Sequence, residues 1–305
     1  MPVLAIRHAT TYLYANPVAL GEHRMMFRPR DSHDLILLDS SLKIVPEPTE
    51  LRWIHDVFGN SVALAKFSGR TKRLHFESVL TLEHFPTIGP NFTVDDSAAE
   101  YPFAYNEEET PDLLPSIERQ YPDTERRLDG WARQFLDADG SAEPTAMLAA
   151  MTHAISREFT YIRREKMGVQ EPQETLALRT GSCRDFAVLM MEAVRSLSLA
   201  ARFVSGYLYV PSSDREGHVG GGATHAWVQV YLPGAGWIEF DPTNGIVGNR
   251  NLIRVAVTRH PRQAVPLSGT WIGFPDDGLG MTVEVSVTDA AVSQGSGKKK
   301  RADAD

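Results

Sequence analysis

The sequence predicts an α+β protein in which a β-sandwich-like N-terminal domain precedes a unit of mixed helices and strands. Two features of the hydrophobic pattern predict this fold class. Apolar residues alternate with a period of two from Val3 to about Phe85, and helical periodicity first appears near Asp123. The 305 residues fit two domains, and a hydrophobic fraction of 42% is enough for a sizeable core without disulfides or metals.

Residues 1–90 form the predicted β-rich domain. The turn Phe58–Ser61 is predicted to join two strands in a hairpin. The strands, each rich in β-branched and aromatic residues, are predicted over Val3–Tyr14, Leu35–Val45, Leu51–Phe58, Ser61–Phe67 and Leu74–Phe85. The stretch 91–122 is rich in proline and acidic residues, and it is predicted as a surface connector with short helical pieces.

Residues 123–290 form the predicted second domain, including the C-terminal strands. One helix is predicted from Pro144 to about Phe159 and another from Cys183 to about Leu197, each with an apolar stripe. Strands are predicted over Arg202–Val210, His225–Tyr231, Trp237–Asp241, Ile253–Thr258, Thr270–Phe274 and Met281–Thr288.

The charge balance argues against nucleic acid as a partner. The chain has 31 Lys and Arg residues against 39 Asp and Glu residues, a formal net charge of −8. Phosphate binding needs clustered basic residues, and the only long basic run in the sequence is Lys298–Arg301. That run lies in the polar tail 291–305, which we expect to be disordered and solvated.

Cysteine content and hydropathy indicate the compartment. Cys183 is the only cysteine, so no intramolecular disulfide can form, which favours a reducing compartment. The first residues lack the charged start and apolar centre of a signal peptide, and the longest aliphatic run, Leu35–Leu38, is too short to span a bilayer. We therefore expect a cytoplasmic protein with no membrane partner, while the sequence does not determine the oligomeric state.

A short segment around Cys183 carries the first reactive group. Ser182 suits the N-cap of a helix, and Asp185 falls three residues later, where a capping box has its acid. Cys183 then lies in the first helical turn, where free backbone N–H groups and the helix dipole favour a thiolate. A lone cysteine is more often a buried structural residue, so this segment alone does not establish a nucleophile.

A predicted hairpin supplies a base and an acid. The segments that contain His225 and Asp241 alternate as strands, and the loop 232–236 joins them. If Tyr231 pairs with Trp237, then His225 and Asp241 are diagonal neighbours on one face, within reach of a hydrogen bond. An imidazole held by a carboxylate beside a thiol is the general form of an activated cysteine nucleophile.

The chain contains, in this order, the segments GSCRDFAVLM, ARFVSGYL and ATHAWVQVYLPGAGWIEFDPTN. Together they resemble the core of the transglutaminase-like superfamily in its bacterial form. The resemblance implies a papain-like fold of helices packed on an antiparallel sheet, with Cys183 as nucleophile, His225 as base and Asp241 as orienting acid. The β-rich domain that precedes the core in these bacterial proteins is similar to the N-terminal part here, through YLY at 12–14, NPV at 16–18, FRPR at 27–30 and FGN at 58–60.

Two further questions stay open at the level of sequence. The backbone N–H of Cys183 is the natural first oxyanion donor, and Tyr161 and Gln170 are candidates for the second, although either can equally be a packing or loop residue. Ser182 stands where the bacterial relatives often carry an apolar residue, and a capping serine suits the same geometry. Trp227 shares the predicted face of His225, where core packing explains it as well as a wall of the site.

No cofactor and no metal are expected. The sequence has no GxGxxG, no Walker loop, no HExxH and no paired CxxC. His218, His225 and Asp241 could bind a metal chemically, but nothing in their spacing requires it. His218 lies in a glycine-rich loop that is either a substrate gate or a plain surface connection. Arg184 and Asp185 are expected to form local ion pairs, with Asp185 as a helix cap rather than a catalytic acid.

The sequence therefore supports two hypotheses about function. The first is a cysteine-dependent acyl-transfer enzyme that attacks amide bonds of a peptide or protein substrate through a thioester on Cys183. Water would complete hydrolysis, as in an amidase or peptidase, and a primary amine would complete transamidation; the sequence does not separate these outcomes. The second is a non-catalytic peptide-binding module that keeps the papain-like cleft, whose expected sign would be loss of a triad residue.

Overall fold

The computed structural model describes residues 2–86, 92–164, 168–211 and 223–290. The predicted fold class is confirmed, because a curled β-sheet is followed by a core of helices packed on a second, antiparallel sheet. Over the described ranges, the first sheet has seven strands and the second has five. The glycine-rich loop around His218, interpreted as either a substrate gate or a plain surface connection, lies outside the described residues.

The first sheet is organised around one long strand, β1 (Val3–Met25). Its neighbours follow the order β2-β5-β1-β4-β3, with β2 at Leu35–Val45, β3 at Glu50–His55, β4 at Ser61–Lys66 and β5 at Arg70–His84. The predicted hairpin is confirmed, because β3 and β4 pair directly from His55 opposite Ser61. Strand β1 continues beyond its predicted end at Tyr14. Its pairing with β5 stops after Leu13 and resumes at Val18, so Pro17, which has no N–H, falls in the gap.

The last two strands belong to the first sheet and not, as predicted, to the second domain. Strands β13 (Leu267–Ile272) and β14 (Gly278–Asp289) both pair antiparallel with β1. Because β5 covers only one edge of β1, the C-terminal strands can complete the hydrogen bonds of the other edge. Pairing between such distant segments leaves no trace in local periodicity, which is why the sequence pattern assigned them wrongly.

The connector carries the short helical pieces that were predicted for it. A 3₁₀ turn covers Asp96–Ala98, and helix α1 covers Thr110–Ile117. Leu113 of α1 is buried, and Leu114 is exposed, so the segment lies against the core rather than through it. The predicted domain boundary at residue 90 falls in 87–91, outside the described residues, and stays a prediction. The predicted disordered tail 291–305 also lies outside them.

The second unit contains the two predicted helices within about one residue of their predicted ends. They are α3 (Pro144–Glu158) and α5 (Cys183–Ser196), accompanied by the shorter α2 (Arg127–Ala132) and α4 (Pro172–Leu178). A short parallel pair, β6 (Thr160–Tyr161) and β7 (Thr180–Gly181), comes immediately before α5. Among the described helices, none combines the length and apolar character needed to cross a bilayer.

The second sheet forms the floor on which α5 packs. Its order is β11-β10-β9-β8-β12, with β8 at Ala201–Leu208, β9 at Thr224–Leu232, β10 at Gly236–Asp241, β11 at Ile246–Val247 and β12 at Leu252–Thr258. Helix α5 is buried almost throughout, and Phe186, Met190 and Val194 share one apolar core with Val228 and Phe240 of the sheet. Each such side chain contributes about 2 kcal/mol through burial, so the start of α5 is held firmly against β9 and β10.

Candidate active site

The start of α5 fixes the position of Cys183. Cys183 is the first residue of the helix and is 7% exposed. The Asp185 carboxylate accepts hydrogen bonds from both the backbone N–H and the hydroxyl of Ser182, each at 2.8 Å. The acidic half of the predicted capping box is therefore confirmed. The hydroxyl half differs, because Ser182 donates its hydroxyl to Asp185 instead of accepting from the helix backbone.

Asp185 also ties the preceding segment to this helix start. The side chain is fully buried, and its second oxygen accepts from Arg164 Nη1 at 2.7 Å and from the backbone N–H of Gln170 at 2.6 Å. Asp185 is thus a cap, as predicted, but its ion-pair partner is Arg164 and not the neighbouring Arg184. Arg184 turns away, donates to the carbonyl oxygen of Pro261 at 2.8 Å and lies over the ring of Phe203.

The predicted hairpin register is confirmed. Tyr231 lies opposite Trp237 and Gln229 lies opposite Glu239. This register places His225 and Asp241 on the same face of adjacent strands, and Nε2 of His225 lies 2.7 Å from Oδ2 of Asp241. Neither side chain has any exposed surface. The base and the acid that the sequence predicts are therefore in contact.

Charges around the imidazole favour its protonated form. Burial lowers the pKa of His225, but the Asp241 carboxylate and then the Cys183 thiol act against burial and raise it to about 10. For Asp241, burial raises the pKa, and the stronger opposing effect of His225 and the hydrogen bonds from Asn244 and Thr243 hold it below its usual value. Both shifts favour an imidazolium paired with a carboxylate.

The two nitrogens of the His225 ring have different environments. Nε2 is bonded to Asp241, whereas Nδ1 is buried and has no hydrogen-bond partner in the part of the chain that the structure describes. Cys183 lies close enough to influence the pKa of His225. A buried ring nitrogen left without a partner beside a thiol is suited to exchanging a proton with that thiol or with a bound substrate.

Asn244 supports the pair and is missing from the sequence prediction. Its Nδ2 donates to Oδ2 of Asp241 at 2.8 Å and lies 3.4 Å from Nε2 of His225. The backbone N–H of Thr243 donates to the other oxygen of Asp241 at 2.9 Å. The signal that could have pointed to Asn244 is its place in the turn Asp241-Pro242-Thr243-Asn244, where an Asp side chain commonly accepts from the following residues.

The two candidates for a second oxyanion donor have different surroundings. Tyr161, at the end of β6, is close enough to Cys183 that the thiol, after burial, raises the pKa of the phenol. Gln170 is committed elsewhere, because its side-chain nitrogen donates to Thr175 Oγ1 at 3.2 Å and to the carbonyl oxygen of Thr180 at 3.1 Å. Gln170 is therefore a packing and loop residue, and Tyr161 is the candidate that the geometry brings towards the thiol.

Trp227 forms the inner wall beside the imidazole. It is fully buried, and its ring is stacked on His225 with centroids 5.9 Å apart and planes 28° apart. The same ring packs among Val204, Leu208 and Leu252. Trp227 is therefore both a core residue and a wall of the candidate site. Across the residues that the structure describes, no three His, Cys, Asp or Glu side chains are grouped as a metal site would need.

Two family descriptions match this chain. Residues 4–83 match the bacterial transglutaminase-like N-terminal region, and residues 131–242 match the transglutaminase-like superfamily core. The second match contains Cys183, His225 and Asp241, and the first covers most of the curled sheet up to the end of β5.

Relatives match over most of the chain or over parts of it. An uncharacterized protein of Mycobacterium tuberculosis is 29% identical over 277 residues, which cover 87% of this chain and 86% of that protein. A protein-glutamine gamma-glutamyltransferase of Pseudomonas aeruginosa is 29% identical over 123 residues, 36% of this chain and 17% of that protein. A crystal structure from Cytophaga hutchinsonii, described as a candidate cysteine protease, has a TM-score of 0.68 at 21% identity and covers 95% of this chain and 92% of its own. That likeness establishes a shared fold.

Proposed function

Because the chain belongs to the transglutaminase-like superfamily, we propose that it is a cysteine-dependent acyl-transfer enzyme that acts on amide bonds of peptides or proteins. One observation carries this proposal. A cysteine at the first position of a buried helix lies beside an imidazole whose other nitrogen is held by a buried carboxylate. This is the arrangement that an activated thiol nucleophile requires.

The first half of the proposed reaction forms a thioester. The sulfur of Cys183 attacks the carbonyl carbon of the substrate amide, and the carbonyl π electrons move to oxygen. The backbone N–H of Cys183 stabilises this oxyanion, and the Tyr161 hydroxyl is the proposed second donor. The oxyanion then collapses, the C–N bond breaks, and His225 gives its proton to the departing nitrogen, which leaves as ammonia or an amine.

The second half releases the acyl group. Water or a primary amine attacks the thioester carbon, and His225 takes the proton that the attacking group loses. The C–S bond breaks, and the sulfur leaves as a thiolate, which restores the starting charges beside the imidazolium. Asp241 stays ionised and keeps Nε2 of the ring in place through both halves. Water gives a carboxylic acid and a primary amine gives a new amide.

The substrate and the place of action are also proposals. A peptide or protein substrate in the cytoplasm agrees with the single cysteine and the net charge of −8, which give no reason to expect nucleic acid. The Pseudomonas relative is a glutamyltransferase by name and the Cytophaga structure a candidate protease, so both transamidation and hydrolysis occur as descriptions among similar proteins.

Thiol labelling tests the proposed nucleophile. Iodoacetamide at pH 6 is expected to modify Cys183 rapidly in the natural protein and slowly in His225→Ala, because the thiolate is then no longer stabilised by the imidazolium. A peptide library incubated with and without an added primary amine, followed by mass spectrometry, separates hydrolysis from transamidation. Slow labelling of the natural protein together with an unchanged library would favour the peptide-binding module instead.

A further inference from the structure

A pocket lies away from the thiol, against the segment that precedes β2. Its volume is about 490 Å³, within the range of roughly 300–1,000 Å³ that is common for small-molecule sites. None of Cys183, His225 and Asp241 lines it. Its charged walls come from four places in the chain: Asp34 before β2, Arg202 on β8, Glu239 on β10 and Arg254 on β12.

The two arginines of this pocket differ in how well their charge is compensated. Arg254 donates to both oxygens of Asp34, at 2.6 and 2.8 Å, and to Glu239 at 2.5 Å. Arg202 donates from Nη2 to the amide oxygen of Gln229 at 2.9 Å. Over the described parts of the chain, Arg202 has no carboxylate within ion-pair distance, and its buried Nε has no acceptor.

The surroundings of Arg202 hold its guanidinium in place but do not neutralise it. Its Cζ lies 3.5 Å from the ring centroid of Trp237, which fixes the plane of the group. Burial lowers the pKa of Arg202 to about 9, with Glu239 acting to raise it and Arg254 to lower it. A cation that is desolvated, oriented and left without a carboxylate partner is costly unless an anion joins it.

We propose that this pocket binds a small organic monoanion, with its carboxylate on Arg202 and its apolar part against Phe92 and Trp237. The planar guanidinium matches the geometry of a carboxylate. A dianionic phosphate is disfavoured, because Asp34 and Glu239 line the same pocket and would repel the second charge. This proposal does not depend on the proposed amide chemistry.

Calorimetric titration with benzoate tests the pocket. The natural protein should bind benzoate in the millimolar range or tighter, and it should bind neutral benzyl alcohol and dianionic phenyl phosphate at least tenfold more weakly. Arg202→Gln should weaken benzoate binding at least tenfold, whereas Arg52→Gln, which removes an exposed arginine of the first sheet, should leave it unchanged. Cys183→Ala should bind benzoate like the natural protein, which separates this pocket from the candidate active site.

A second variant, which is expected to raise benzoate affinity instead of lowering it, keeps the test decisive if Arg202→Gln fails to fold. Glu239→Gln removes a negative charge from the pocket while keeping a side chain that can accept from Arg254, so benzoate affinity should rise severalfold. Absence of benzoate binding by the natural protein would overturn the proposal. Equal binding by the natural protein, Arg202→Gln and Glu239→Gln, or loss of binding in Cys183→Ala, would overturn it as well.

Discussion

The β9–β10 hairpin carries two buried polar pairs that differ in what they leave unpaired. At one end, His225 and Asp241 are in contact, and Nδ1 of the ring has no partner among the described residues. Two residues along β10, Glu239 accepts from Gln229 and from Arg254, and Arg254 is also bonded to Asp34. Buried polar groups usually find partners, so an open position marks a place where a reacting group can enter. The His225–Asp241 pair is arranged for chemistry. The Glu239–Arg254 pair, through the bond of Arg254 to Asp34, joins the two sheets.

The largest expected effect is at the thiol. Cys183→Ala should abolish acyl transfer and iodoacetamide labelling, because the chain has no other cysteine. Cys183→Ser should be nearly as inactive, since a hydroxyl is far less acidic and gains little from the helix start. Turnover of an amide substrate and mass spectrometry of the labelled protein measure both changes. Full activity in folded Cys183→Ala would remove the thioester from the mechanism.

The next effect is at the acid. Asp241→Asn keeps the shape of the side chain but loses the charge that favours the imidazolium, and it can hold the ring in the wrong tautomer. Turnover should fall by about 10⁴-fold, the size known for the corresponding change in a serine-protease triad. Circular dichroism should show an intact fold.

Asp277→Asn is the matched control, because it removes another buried carboxylate that is bonded only to Asn16 and Phe274 among the described contacts. Its turnover should equal that of the natural protein. If Asp241→Asn is as active as Asp277→Asn, Asp241 has no part in the reaction.

The contacts of Arg254 with Asp34 and Glu239, which join the two sheets, should affect stability more than turnover. Arg254→Met leaves Asp34 and Glu239 without their shared cation, which should lower the free energy of unfolding by roughly 3 kcal/mol. Partial exposure of the guanidinium keeps this value at the lower end for a broken buried pair. Urea unfolding measures the change, with exposed Arg52→Gln as a control that should alter stability by less than about 0.5 kcal/mol.

The same Arg254→Met protein tests the contrast between the pairs. In the folded variant, iodoacetamide labelling of Cys183 should proceed at the natural rate, because Arg254 does not contact the thiol or the imidazole. A loss of labelling as large as that in Asp241→Asn would mean that the two pairs act as one network.

The reactive pair should also give stability a characteristic pH dependence. The pKa of His225 is raised from 6.5 in the unfolded chain to about 10, so its contribution is complete below pH 6.5 and is lost as pH rises towards 10. The pKa of Asp241 is lowered, so its contribution is present above about pH 4 and is lost in stronger acid. Stability from the pair should therefore be greatest between about pH 4 and 6.5.

Urea unfolding across this range measures the effect. In Asp241→Asn, the decline in the free energy of unfolding between pH 6.5 and 10 should become much shallower, because the carboxylate that raises the pKa of His225 is gone. An identical decline in both proteins would assign it to other groups.

The smallest effect is expected at Asn244, a positioning residue. Asn244→Ala removes one hydrogen bond to Asp241 and should cost about 1 kcal/mol of stability, with roughly a tenfold fall in turnover. The pH profile of labelling should shift to higher pH by a measurable amount, because a less well supported imidazolium stabilises the thiolate less. Asn60→Ala, which breaks buried hydrogen bonds far from the thiol, should lower stability without moving that profile.

Local signals in the sequence were enough to predict the elements of the candidate site. The cap at Ser182 placed Cys183 at a helix start, and the alternation around a five-residue loop gave the register that brings His225 and Asp241 together. These signals work because they depend on neighbours a few residues apart. The same logic failed for β13 and β14, whose partner β1 lies at the other end of the chain.

The sequence by itself determined the two-part α+β organisation, the helix that begins at Cys183 and the hairpin that carries the base and the acid. Only the tertiary structure decided that Asp185 pairs with Arg164, that Gln170 is committed to Thr175 and Thr180, and that Arg254 joins the two sheets. Hydrophobic period and turn chemistry are properties of short segments, so sequence encodes them directly. Partners of buried polar side chains depend on which distant segments the packed core brings within 3 Å of each other.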